Sequence, residues 1–135
     1  MQNPSLAAIL STGEPERLYS GLSVLVSTAA EGGTCAALAS FGAIDLLLDP
    51  DLLRRVQEPD ATPSLSWAGR ETFARSLVEL IETAAELERL TIHACAASVE
   101  TMAIEPADIE ASALDGVKST PRFLSDTAGA RLIFV

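Results

Sequence analysis

The sequence predicts an α/β protein of three layers, a five-stranded, mostly parallel sheet between helices. Three observations lead there. The chain has 135 residues, the length of one domain and enough to bury a core without staples. Hydrophobic residues make up 48% of it, which excludes a disordered chain. Short, nearly continuous apolar runs alternate with helical patterns, as in a parallel sheet covered on both faces.

Leu6 to Leu10 is the first apolar run, a buried strand that ends at Ser11-Thr12-Gly13. Glu14-Pro15-Glu16 then opens a helix, with proline in its first turn and acids at its positive end. Leu18, Leu22, Leu25, Val26 and Ala29 recur at helical spacing until Gly32-Gly33 stops the helix. Thr34 to Phe41 is a second strand, closed by Gly42. Ile44 to Val56 reads as one short, acid-punctuated helix. Gln57 to Gly69 carries Pro59, Pro63, Ser64 and Ser66, a loop composition, and holds the only tryptophan, Trp67. A loop of this length in a compact domain is usually functional or mobile.

Arg70 to Glu88 gives the strongest helical pattern. Phe73, Leu77, Leu80, Ile81, Ala84 and Leu87 form one stripe, with Glu79, Glu82, Glu86 and Glu88 largely off it. Leu90 to Ala94 is the third strand. Glu105 to Ile109 opens another short helix, ended near Gly116, and Val117 to Thr120 is a brief fourth strand. Thr120-Pro121 reads as an N-cap followed by proline at the first helical position. This last helix stops at Gly129, and Arg131 to Val135 is the final strand. The economical fold for this order, over residues 1–135 as a single domain, is doubly wound and flavodoxin-like. Chemistry in such folds gathers at the carboxyl ends of the strands.

Composition narrows the function. The net charge of −10 comes from 19 acidic and 9 basic residues. It would repel nucleic acid and anionic membrane surfaces. A single histidine rules out a multi-histidine metal site within one chain, and two cysteines without ligand spacing argue against structural zinc. The most apolar segment, Ala43 to Leu53, is interrupted by Asp45, Asp49, Pro50 and Asp51, so no membrane span is expected. With no basic residue before the first apolar run, the start does not read as a secretory signal. Sparse cysteine fits a cytoplasmic location.

The residue that stands out is Cys95, where the third strand gives way to a helix start. A thiol there feels the positive end of the helix, which stabilises the nucleophilic thiolate. The plainer reading is a small buried hydrophobe. Cys35 lies near the start of the second strand, at the opposite edge of a parallel sheet. The two sulfurs should then be too far apart for a disulfide, and Cys35 reads as core. His93 shares a strand face with Cys95, about 6–7 Å away, too far for a direct hydrogen bond. A packed strand histidine is the favoured reading over an acid–base partner. Ser98 would cap the following helix or donate a hydrogen bond to the thiolate. Ser11, Thr12 and Gly13 close the first strand and would line the same pocket. Glu14 and Glu16 would repel a flavin phosphate, and cysteine stands where a response regulator needs aspartate. The glutamates of the long helix read as a solvated surface, and no metal site is expected.

The segment Ile92 to Ile104 resembles the signature of the DsrE/DsrF-like family, which has the YchN-like fold. That signature has a small or aromatic residue, Ala, Cys, two variable residues, Ser, and shortly after Met-Gly. Ala94-Cys95, Ser98 and Met102 match, whereas Ala103 stands at the usual glycine. Gly13 to Glu16, Phe41-Gly42, the Glu105 to Ile109 helix and Phe123-Leu124 are similar in pattern across most of the chain. The resemblance implies a sulfurtransferase or persulfide carrier acting through Cys95. It needs no cofactor, exchanges sulfur with donor and acceptor proteins, and assembles as a trimeric or hexameric homo-oligomer. Leu65 and Trp67 would suit a subunit contact. The alternative is a non-catalytic binding or scaffold module of the same fold.

Overall fold

The computed structural model describes residues 3–135, so Met1 and Gln2 of the expected 1–135 domain lie outside the described residues. In chain order the elements are β1 (Leu6–Leu10), α1 (Pro15–Ala30), β2 (Cys35–Ala39), α2 (Gly42–Leu47), α3 (Leu52–Val56) and α4 (Trp67–Glu86). β3 (Leu90–Cys95), α5 (Ala96–Thr101), α6 (Pro106–Glu110), β4 (Val117–Lys118), α7 (Thr120–Asp126) and β5 (Arg131–Phe134) follow. All strand pairs are parallel, in the order β4-β3-β2-β1-β5. The sheet lies between helices in a three-layer α/β arrangement.

Local chemistry explains most boundaries. Pro15 sits in the first turn of α1, and Gly32, at φ 99°, follows its end. The expected helix over 44–56 is two helices. Pro50 disfavours the helical conformation at Asp49. Asp49 accepts the Asp51 N–H at 2.8 Å, and Arg55 ties the break together through Asp45 at 2.8 Å and Asp49 at 3.2 Å. The long helix begins earlier than its apolar stripe, at Trp67, because the Ser66 hydroxyl caps it by accepting the Gly69 N–H. Trp67 therefore lies on a helix, 78% exposed, and not in a loop. The last helix is likewise capped one residue earlier than expected. Ser119 accepts the Arg122 N–H, which leaves the Thr120 side chain free for another partner.

α5 ends in a Schellman turn: Ile104 N–H bonds to Val99 C=O at 3.0 Å and Ala103 N–H to Glu100 C=O at 3.2 Å. This turn demands the left-handed region at Ala103, which has φ 53°. A Cβ is unfavourable there and glycine is the usual occupant. Ala103 is exposed, so its methyl group contributes little packing. Ala103→Gly is therefore expected to stabilise the fold by about 0.5–1 kcal/mol, after the greater freedom of glycine in the unfolded chain is counted. The measurement is urea unfolding at constant slope. An unchanged or lower midpoint would contradict the argument.

The strand order decides how the faces are covered. From β1 through β2 and β3 to β4 the chain steps in one direction, so right-handed crossovers place α1 to α6 on one face. Only the connection from β4 back to β5 runs the other way, and it carries α7 to the opposite face. The core follows this division. The larger cluster joins Leu10, Leu18, Leu22, Leu25, Ile44, Leu77 and Ile92. The smaller one joins Ala7, Ala36, Leu38, Cys95 and Phe123. The flavodoxin order 2-1-3-4-5 reverses beside β1 and β3, whereas here the reversal lies between β1 and β5. Among the described residues no helix is long and apolar enough to cross a membrane.

Candidate functional site

Cys95 is the last residue of β3 and the N-cap of α5. Its side chain belongs to the face that α7 covers, in the cluster with Phe123 and Leu38. Only 6% of its surface is exposed. Burial pushes the thiol's pKa up. The N–H groups of Ala97 and Ser98 and the hydroxyls of Ser98 and Thr120 nearby favour the thiolate and together prevail, so the pKa falls below the ordinary thiol value. The Cys95 Sγ–Thr120 Oγ1 distance is 3.8 Å.

Ser98 is fully buried one turn into α5. Its hydroxyl does not cap the helix. It accepts the Phe41 N–H at 3.3 Å, which leaves its own proton free for another partner. Phe41 has φ 40° and ψ −106°, a conformation unusual for a residue with a Cβ. Its backbone is held in this turn with the N–H directed at Ser98. The adjoining Gly42 makes a close approach: a Cβ there would lie 2.7 Å from Gly13 Cα and N. The loops after β1 and β2 are thus in contact, and the second of them touches the cradle of the thiol.

The first loop does not reach it by hydrogen bonding. Ser11 N–H and hydroxyl and Thr12 N–H bond to Val135 C=O, while the Thr12 hydroxyl accepts the Glu14 N–H. β2 separates β1 from β3, which sets the two strands about 10 Å apart. Ser11 and Thr12 therefore serve the β5 side of the sheet, and Gly13 packs beneath Gly42. His93 shares the face of Cys95, and among the described residues no hydrogen bond joins them. It lines a cleft with Lys118, Arg122 and Asp126. Burial, then the Lys118 charge, push its pKa down despite the opposing pull of Asp115 and Asp126. The shift favours the neutral imidazole.

Cys35 is 1% exposed, and burial raises its pKa. It pairs in register with Leu90, five residues before Cys95 in β3, or about 16 Å along the strand. It also packs in the opposite core cluster. Both cysteines are free, as the strand positions require.

Two contributors escaped the sequence reading. Thr120 was expected to cap α7, yet it bonds to the thiol. Phe41 acts through a backbone N–H and an unusual φ, for which apolar patterning carries no signal. Only its neighbour Gly42 hinted at a tight turn. Among the described residues no three His, Cys, Asp or Glu side chains cluster as a metal site would. No family model matches the chain, and no curated protein matches it in a sequence comparison.

Proposed function

We propose that this protein is a persulfide carrier or sulfurtransferase that uses the single thiol of Cys95. The observation that carries the reading is the place of Cys95 at the end of β3 and the start of α5, with the Thr120 hydroxyl 3.8 Å from its sulfur, a setting that favours the thiolate despite burial. Further support comes from the resemblance of Ala94-Cys95, Ser98 and Met102 to the DsrE/DsrF-like motif. The left-handed turn at Ala103 falls where that motif has glycine. In the reaction the Cys95 thiolate attacks the outer sulfur of a donor persulfide, R–S–SH. A bond forms between Sγ and that sulfur, the donor's S–S bond breaks, and R–S⁻ leaves while the proton stays on the transferred sulfur. The acceptor thiolate repeats the exchange and restores Cys95. Donor and acceptor proteins, a homo-oligomeric assembly and a cytoplasmic setting belong to the same proposal.

The test is intact-mass measurement after exposure to inorganic polysulfide. The wild type and Cys35→Ser are expected to gain sulfur, and Cys95→Ser to gain none. A wild type that stays unmodified, or a Cys95→Ser variant that gains as much, would sink the reading. The small exposed area of Cys95 favours a second one, a binding or scaffold module with an unused thiol. That reading expects no mass gain in any of the three proteins.

A further inference from the structure

The face that carries Cys95 also holds the cleft lined by His93, with a volume of about 600 Å³. Its charge is at odds with the rest of the chain. Three of the nine basic residues, Arg89, Lys118 and Arg122, line it, but only two of the nineteen acidic ones, Glu88 and Asp126. Lys118 is the only lysine and His93 the only histidine of the sequence. Asp126 is engaged by Lys118 at 3.0 Å and by Arg122 at 3.2 Å. Arg89 is exposed and has no ion pair among the described residues.

Three elements lead from this cleft to the sulfur. On β3, His93 lines the cleft and Cys95 follows two residues on, on the same face. On β4, Lys118 lines the cleft and is the register partner of Cys95. On α7, Arg122 lines the cleft, and Thr120, two residues earlier, touches the thiol. Cys95 and Thr120 do not line the cleft themselves, but the Cys95 backbone lies one strand spacing, about 5 Å, from that of Lys118, which does.

We infer that this cleft binds a small thiol or persulfide bearing carboxylates, held by Arg89, Lys118 and Arg122 with its sulfur directed at Cys95. The inference rests on the sulfur-carrier reading for its chemistry, and the cleft supplies the class of sulfur partner. A small molecule also suits a thiol that is almost covered, because it can follow the cleft where the thiol of a folded protein is kept away. Glu88 stands at the far end, where a ligand's ammonium group would find an opposite charge.

Binding can be measured apart from sulfur transfer. S-methylglutathione has two carboxylates and a blocked sulfur, and it is titrated into the Cys95→Ser protein while amide shifts are followed by NMR. Saturable shifts are expected along β3, β4 and α7. Neutralising two cations, Arg89→Gln with Arg122→Gln, should weaken binding about five- to tenfold, as for two partly exposed ion pairs. Arg17→Gln with Arg75→Gln, which removes equal charge elsewhere, should leave it unchanged. No saturable shift, or equal weakening by both double variants, would overturn the inference. The polysulfide experiment is independent of this outcome. Sulfur loading without glutathione binding leaves the carrier reading and removes the cleft's role, while binding without loading does the reverse.

Discussion

Phe123→Ala is expected to destabilise the protein by about 3–5 kcal/mol, the usual cost of emptying a fully buried phenylalanine site. This would consume much of the stability of a domain that has only about 5–15 kcal/mol in total. The reason lies in the strand order. Six helices share one face of the sheet, so a truncation such as Leu77→Ala leaves a cavity within a large cluster. The other face depends on α7, whose only buried residue is Phe123, set against Ala7, Ala36, Leu38 and Cys95. Those neighbours are mostly small and cannot expand to refill the space. The loss should also reach the thiol, because Thr120 stands on the same helix. Urea unfolding would give the stability term. Alkylation of Cys95 under native conditions would give the second, changed by Phe123→Ala and unchanged by Leu77→Ala. A loss below about 1 kcal/mol, the level of surface changes, would refute the view that one side chain anchors this layer.

The same asymmetry marks where the sequence was readable and where it was not. β1 lies where its apolar run places it, and Cys95 stands at a strand end as the run from Leu90 implies. Apolar periodicity reports burial, and burial governs these elements. Helix starts depend on single capping side chains. Ser66 and Ser119 each took the cap one or more residues ahead of the expected start. The order β4-β3-β2-β1-β5 has no counterpart in local pattern, because it is decided by which edge of the sheet the last crossover reaches. This unread step settles that α7 alone covers the Cys95 face, leaving Phe134 72% exposed and a charged cleft beside β3. The cradle was half legible. Cys95 and Ser98 are three residues apart on one helical turn, and local spacing suffices to bring them together. Phe41 is 57 residues from Ser98 in sequence and Thr120 is 25 from Cys95, contacts that only the assembled sheet creates.

Ser98→Ala tests whether this assembled cradle acts on the sulfur. The substitution removes a hydroxyl that favours the Cys95 thiolate and leaves the Phe41 N–H without its acceptor. The backbone N–H groups of Ala97 and Ser98 and the Thr120 hydroxyl remain. The thiol should therefore rise in pKa toward its ordinary value without reaching that of a thiol exposed only to burial. If the hydroxyl's effect is that of one charge-assisted hydrogen bond, about 1.5 kcal/mol, about tenfold less thiolate is expected below the pKa. The sign follows from the direction of the shift. A lowered pKa keeps the wild-type thiolate populated as pH falls, so the variant's rate of reaction with iodoacetamide should begin to drop at higher pH than the wild type's. Above both pKa values the two rates should converge, since the thiolate itself is unchanged. Ser98→Thr keeps the hydroxyl and should move the profile less. The orphaned Phe41 N–H adds an effect of its own, an expected loss of about 1–3 kcal/mol in stability, which unfolding measurements separate from the pH profile. If the profile stays in place while stability falls, Ser98 holds the turn at Phe41 and has no part in activating the thiol. If the profile shifts, the hydroxyl links the turn after β2 to the reactivity of Cys95.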